Sequence, residues 1–300
     1  MCEPPQVLAD RPDGTVVRSG AIVAKAHAAD TDREALAARI ALAAAPQLAG
    51  ILLPPLTAPE PAAPTARPVS LWPLGAPVDP TDPGAAPWAE AADLLARLHR
   101  TEPPFPLPPM RGPAKAARAV ARMRAALRGD AITPPRDPAV LSVLAGWRSL
   151  PAWARGEAPA PAPGADALCH GDLHLGQLVR HPVPDGPWLL IDMDDAGVGD
   201  PAWDLGRPAA WYAAGLLAPE DWSTFLDAYR AAGGPAVPAD GDPWPALDVP
   251  ARALTVQTAA VALAKCAAEQ RDPDDHEQLM IESCARIATL PPELATGPAS

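Results

Sequence analysis

Three side chains in one short stretch have the types and spacing to share a reaction. Asp172 sits in His170-Gly171-Asp172-Leu173-His174-Leu175-Gly176-Gln177, a run of small and polar residues between β-like segments at 168–169 and 178–179. A loop of that composition presents a carboxylate at its tip. Asp192 follows directly on Leu189-Leu190-Ile191, so an acid ends a buried strand on a rigid support facing a cleft. Gly199-Asp200-Pro201-Ala202-Trp203-Asp204-Leu205 then reads as a turn entering a helix. Phosphoryl transfer to a hydroxyl needs such parts. One carboxylate orients the acceptor and takes its proton, while separate hard oxygen ligands hold magnesium on the nucleotide phosphates. Asp172 fits the first task, and Gln177 with Asp192 fits the second.

A different chemistry uses the same loop. His170, Asp172 and His174 alternate, so an extended strand would turn all three to one side. With Asp192 or Asp194 they would then form a transition-metal site for hydrolysis. Gly171 and Gly176 interrupt such a strand, and this metal-dependent hydrolase leaves Gln177 and residues 199–205 unused.

The elements that must position these groups follow from periodicity and turn chemistry. Residues 14–18 and 21–26 are β-rich runs separated by Ser19-Gly20, a hairpin signal. Thr31-Asp32-Arg33-Glu34 has the form of a capping box, and Leu36 and Ile40 continue at helical spacing. Residues 54–87 are crowded with proline around an apolar run at 69–74, which reads as a strand leading into a linker. The composition changes there, placing a lobe boundary near residue 76. Beyond it helices dominate. Trp88, Ala91, Leu94, Leu95 and Leu98 line one face of a helix ending near His99-Arg100. A second, over about 113–128, gathers Lys115, Arg118, Arg122, Arg124 and Arg128 into the one marked basic cluster, expected to be a solvated face, with a phosphate-facing rim as the other reading. Further helices are expected at 140–150, around the stripe Trp222, Phe225, Leu226 and Tyr229, and near 247–270 and 274–289. The acidic run Asp272, Asp274, Asp275 and Glu277 suits the N-terminus of the last. Trp203, Trp211 and Trp222 are expected in the core, and His27, His99, His181 and His276 are scattered packing or surface residues.

Composition excludes several classes. A net charge of −12 denies nucleic acid a basic footprint. Four cysteines spread through 300 residues form neither a disulfide framework nor a zinc site. The sequence contains neither an apolar run long enough to span a membrane nor a leader-like N-terminus, so a cytoplasmic location with no membrane partner is expected.

HGDLHLGQLV, LLIDMDDAG and GVGDPAWDLG resemble the catalytic loop, metal-binding segment and following helix of the aminoglycoside phosphotransferase family. The resemblance implies an α+β, protein-kinase-like bilobal fold. Residues 1–76 would form an abbreviated nucleotide-binding N-lobe and residues 77–300 a helical C-lobe. It implies transfer of phosphate from ATP, or another nucleoside triphosphate, to a small-molecule hydroxyl with Mg2+. Position by position, Asp172 matches the catalytic base and His170 a residue that positions its loop. Asp192 matches the metal-binding aspartate, and Asp204 the acid that braces the loop. Gln177 stands where the family usually has a magnesium-binding asparagine. It offers the same donor type one methylene further out, as in maltokinase-type members. Lys25, in Ile22-Val23-Ala24-Lys25, matches the strand lysine that pairs with nucleotide phosphates, and Glu34 is the candidate to orient it. With no glycine-rich phosphate loop ahead of Lys25, a non-catalytic kinase-like binding protein is the other alternative.

Overall fold

Short runs rich in β-branched residues at 14–27 form the middle of the first sheet of the computed structural model, which describes residues 4–11, 14–56, 67–127, 137–159 and 166–291. Strands β1 (Gln6–Arg11), β2 (Gly14–Ser19) and β3 (Ile22–His27) run antiparallel. Gly20, at φ +59°, takes the first central position of the β2–β3 turn, where a positive φ matches the strand twist. Asp13 lies outside the described residues. Helix α1 (Arg33–Ala43) follows, capped by Asp32, whose carboxylate accepts from Ala35 N at 3.0 Å. The cap is one residue later than the Thr31 box requires, which places Glu34 at N2, out of the reciprocal geometry. A turn at Pro46–Leu48 leads the chain toward the second half of the molecule. Strand β4 (Val69–Pro73) closes the sheet in the order β1-β2-β3-β4, with Lys25 opposite Ser70.

Strand β5 (Ala76–Pro77) then pairs with the later β7 rather than with the first sheet. Four helices and four short strands come next or interleave: α2 (Trp88–Arg100), α3 (Gly112–Leu127), α4 (Pro138–Ser149), β6 (Ala167–Cys169), β7 (Leu178–Arg180), β8 (Trp188–Leu190), β9 (Gly197–Gly199) and α5 (Ala202–Ala214). The chain ends in α6 (Pro219–Ala231), α7 (Trp244–Glu269) and α8 (Asp275–Ile287). Alanine-rich faces let α3 and α5 press closely on α7: a Cβ at Gly206 would meet Leu254 Cδ1 at 3.0 Å. The α2 stripe Trp88, Ala91, Leu94, Leu95 and Leu98 is buried, as its spacing predicts. Each such leucine contributes about 1.5–3 kcal/mol through the area it removes from water. Asp274 and Glu277 form a reciprocal capping box on α8, so the acidic run serves a helix N-terminus. Trp203 and Trp222 are buried in the core. Among the described residues, no helix is long and apolar enough to cross a membrane.

Two short antiparallel pairings carry the loops of interest. β7 pairs with β8, and β6 with β9. Residues 51–53 lie along β8, with Leu190 N donating to Ile51 O and Leu53 N to Leu190 O, each at 2.9 Å. A segment from before residue 76 therefore belongs to the same core as α2, β6 and α5.

Candidate active site

The loop after β6 is held from below. Asp204, 1% exposed in the first turn of α5, accepts from His170 N at 2.6 Å and from Gly171 N at 2.7 Å. His99 Nε2 donates to it at 3.0 Å, and the Tyr229 hydroxyl, itself accepting from Ala236 N, meets His99 Nδ1 at 2.7 Å. Burial works to raise the Asp204 pKa. The hydrogen bond and charge of His99 outweigh it, so the carboxyl stays below its ordinary range. His170 is fully buried. Its Nε2 donates to Ile191 O at 2.9 Å and ties this loop to the strand end before Asp192. Gly171 adopts φ +84°, and a Cβ there would lie 2.3 Å from Asp195 O, so only glycine lets the two loops touch.

Asp172 at the loop tip is gripped by two cations. Arg207 Nη2 donates to Oδ1 at 2.5 Å, and Lys115 Nζ meets Oδ2 at 2.5 Å. Burial pushes the Asp172 carboxyl up, but Lys115 and then Arg207 overcome it and hold the pKa at about 2. Lys115 also bonds Asp195 at 2.6 Å, and Arg111 stands 3.8 Å from the same carboxylate. The approach to α3 explains this reach. Met110 N donates to Val198 O and Arg111 N to Asp195 O, pinning the first turn of α3 against β9. His174, next along the loop, accepts from Gly176 N through Nδ1. Burial, reinforced by Arg207, lowers its pKa to about 4.

Asp192 takes the left-handed conformation, φ 62° and ψ 63°, at the entry to a turn that also carries Asp194 and Asp195. A non-glycine residue held there marks a local backbone constraint. Lys25 Nζ lies 2.5 Å from Asp192 Oδ1 and 2.9 Å from Asp194 Oδ2. Burial works to lower the Lys25 pKa, and the two carboxylates reverse the sign and raise it. His27, two residues along β3 on the same face, meets Asp194 through Nδ1 at 3.2 Å and Ser70 Oγ through Nε2 at 2.8 Å. Gln177 is buried with Nε2 donating to Asp192 Oδ2 at 3.3 Å.

The loops are joined as one cluster through Lys115, which contacts both Asp172 and Asp195, and through His170 on the Ile191 carbonyl. Asp172, Asp192, Gln177, Lys25, His170 and Asp204 all belong to it. Glu34 does not: it is exposed on α1 and makes no ion pair among the described residues, while Lys25 turns to Asp192 and Asp194. The link from α1 is Arg39, 3% exposed, whose Nε donates to Ala196 O at 2.8 Å.

From the sequence, Lys115, Arg207, Asp195 and His27 are not singled out for this site, and Asp194 is offered only as a ligand of the hydrolase arrangement. Arg207 carried a readable signal, since it follows Asp204 at helical i,i+3 spacing and must share its face. His27 stands at i+2 from Lys25. Lys115 had none beyond membership of the basic helix, where Arg118 and Arg122 are exposed as expected of a solvated face and Arg128 lies outside the described residues. The hydrolase arrangement does not form. Residues 170–174 make a loop, and ring nitrogens of His170 and His174 are spent on main-chain groups. Among the described residues, the one compact group of three metal-ligand side chains is His99, Cys169 and Asp204, sealed in the core.

The donor set near Lys25 fits a hard divalent cation. Asp192 offers carboxylate oxygens, and a half-turn of the Gln177 amide swaps Oε1 for Nε2 on the same side. The chemistry available is therefore one carboxylate beside a recess and, adjacent to it, an oxygen-rich cluster with a half-buried lysine.

A family model for the phosphotransferase enzyme family matches residues 13–249. No curated protein matches the chain at the sequence level. Solved structures share its architecture. One is a thermostable mutant of aminoglycoside phosphotransferase APH(4)-Ia in ternary complex with AMP-PNP and hygromycin B, at 14% identity and a TM-score of 0.58 over 96% of this chain and 94% of that one. Choline kinase LicA from Streptococcus pneumoniae gives 14% identity and 0.57 over 96% and 93%. Spectinomycin phosphotransferase APH(9)-Ia with ADP and spectinomycin gives 11% and 0.56 over 97% and 91%. At these identities the likeness carries the fold, a kinase-like α+β architecture with a β-sheet N-terminal part and a mostly helical C-terminal part. The family match spans most of the chain, and on it this protein belongs to the phosphotransferase enzyme family.

Proposed function

We propose that the protein transfers the γ-phosphoryl group of ATP to a hydroxyl of a small molecule, with Asp172 as the base. The observation that carries this is the joining of Asp172 to the Asp192–Asp195 turn through Lys115, which sets a proton acceptor beside an oxygen-rich cation pocket. In this reading residues 1–76 hold the nucleotide and residues 77–300 the acceptor. Lys25, released from Asp192 and Asp194, pairs with the α- and β-phosphates. Asp192 and Gln177 would hold Mg2+, which when bound offsets phosphate charge.

Asp172 orients the acceptor hydroxyl and takes its proton as the new O–P bond forms and the bond from the γ-phosphorus to the bridging oxygen breaks, with ADP as the leaving group. With both oxygens on cations it is a weak base, so the acceptor hydroxyl must displace one of them to be activated. His170 and Asp204 hold the loop in register for that exchange and touch no reacting atom. His174, neutral above about pH 4, adds no charge beside the base. The test is a coupled ADP-release screen across aminoglycosides, hexoses, disaccharides and amino alcohols, run beside calorimetric binding of AMP-PNP with and without Mg2+. Magnesium-dependent nucleotide binding that Asp192→Ala removes is the expected result. Wild-type protein that ignores AMP-PNP in both conditions would leave only a non-catalytic kinase-like role.

A further inference from the structure

We infer that the acceptor carries an anionic group, a carboxylate or a phosphate ester, near the hydroxyl that is phosphorylated, and that Arg207 and Lys115 read it. The inference rests on the phosphotransfer reading above and adds the class of acceptor. Asp172 opens onto a recess of about 10 Å³, room for one water-sized group, walled by Gly112, Gly171, Leu173, Trp203 and Leu254, with Arg207 its other charged lining residue among those described. Around Asp172 and its neighbour Asp195 stand three cations, Lys115, Arg207 and Arg111, against those two carboxylates. The acceptor side thus carries an excess of positive charge in a protein whose net charge is −12.

Two further features point the same way. The Arg207 Nε is buried with no hydrogen-bond partner among the described residues, so one donor of a planar, bidentate-capable guanidinium is already unsatisfied. The 16-residue α3 begins at Gly112 on the recess wall, directing the positive end of its dipole there. When a hydroxyl takes the place of Arg207 on Asp172, Arg207 loses its counter-charge, whereas Lys115 keeps Asp195. An acceptor bringing its own carboxylate or phosphate ester restores the pairing, with Arg207 free to form the fork. An ammonium there would add a fourth positive charge to Lys115, Arg207 and Arg111, with only Asp172 and Asp195 to offset them.

The experiment uses the full chain saturated with AMP-PNP and Mg2+, so that phosphate-binding groups of the nucleotide site are filled. Glycerol 3-phosphate, glycerol and choline are titrated separately by calorimetry at roughly millimolar concentrations. Glycerol 3-phosphate binding at least about tenfold tighter than choline or glycerol, with that preference lost in Arg207→Gln, is the expected result. If Arg207→Gln fails to fold, Lys115→Met supplies the same comparison. Equal binding of the three compounds, binding of none, a preference for choline, or an anion preference that survives both substitutions would overturn the inference. AMP-PNP affinity is measured first. Its absence would defeat the nucleotide reading, whereas its presence without anion preference defeats the acceptor class alone.

Discussion

The two halves of the site are built from the same side-chain types in opposite proportion. On the proposed nucleotide side one half-buried lysine, Lys25, faces two carboxylates, Asp192 and Asp194. On the proposed acceptor side Lys115, Arg207 and Arg111 face Asp172 and Asp195. The first has negative charge to spare for a divalent cation. The second has positive charge to spare, and its carboxylate is held at about pKa 2 by the cations that cover it. At an effective dielectric of 20, each ion pair near 4 Å is worth about 4 kcal/mol before desolvation, so neither excess is incidental. On the proposed reading, the base Asp172 is thus prepared by counter-ions that must move, whereas the proposed metal side is prepared by carboxylates that need only exchange one cation for another.

The comparison is broken most severely at Asp172. Asp172→Ala should lower turnover by about 10²–10⁴-fold, read by ADP release once an acceptor is known, with Mg2+-dependent AMP-PNP binding retained. Because Lys115 and Arg207 would lose their shared partner, unfolding should also become easier by about 1–3 kcal/mol in urea melts. Turnover that survives would remove Asp172 from the role of base. Asp192→Ala gives the complementary pattern, with nucleotide binding lost first.

Asp204 lies beneath both halves, and its loss should collapse the difference between them. Asp204→Ala strands two main-chain N–H donors and the buried His99, with an expected cost of about 3–5 kcal/mol in denaturant unfolding. Asp204→Asn, which keeps an acceptor for one donor, should cost less. Equal stability of Asp204→Ala and wild type would mean that the loop is held by other contacts.

Acid sharpens the contrast. His174 has a folded pKa of about 4 against an ordinary 6.5, so between those values the unfolded chain binds more protons and stability rises with pH. Asp172 is also depressed, so its stabilisation is complete above its ordinary carboxylate range and is lost as pH falls toward 2. Wild type should therefore weaken from about pH 6.5 downward, by about 3 kcal/mol at pH 4 from His174 alone. His174→Gln should flatten that first segment of the curve and leave the Asp172 segment below it. A profile unchanged by the substitution would show that His174 is not a buried neutral imidazole.

How much of this was legible depends on whether contacts are local. The β2–β3 hairpin, α1 and the long helices follow from turn residues and apolar spacing. β1 and β9 do not: Gln6–Arg11 mixes charge with its apolar residues, and Gly197–Gly199 has too little side chain to show a pattern. Asp172, Asp192 and Gln177 are readable because their loops and strands lie within one stretch. Lys115 comes from far along the chain, and only the packing of residues 108–111 on β9 aims it.

Glu34 offers the smallest effect and a clean discrimination. A capping box on Thr31 and an ion pair with Lys25 both assign it a contact, yet Asp32 caps α1 and Lys25 is occupied by two aspartates. An exposed glutamate in the first turn retains only its interaction with the helix dipole, about 0.3–1 kcal/mol. Glu34→Ala should therefore shift urea unfolding by less than about 1 kcal/mol and leave AMP-PNP affinity unchanged. Arg39→Ala, on the same helix, removes a buried donor to Ala196 O, so it should cost about 1.5–3 kcal/mol and loosen the turn bearing Asp192. If instead Glu34→Ala weakens nucleotide binding tenfold while Arg39→Ala does not, then α1 must rotate on nucleotide binding to bring Glu34 to Lys25. In that case the excess of carboxylates on the proposed nucleotide side would not persist once nucleotide binds.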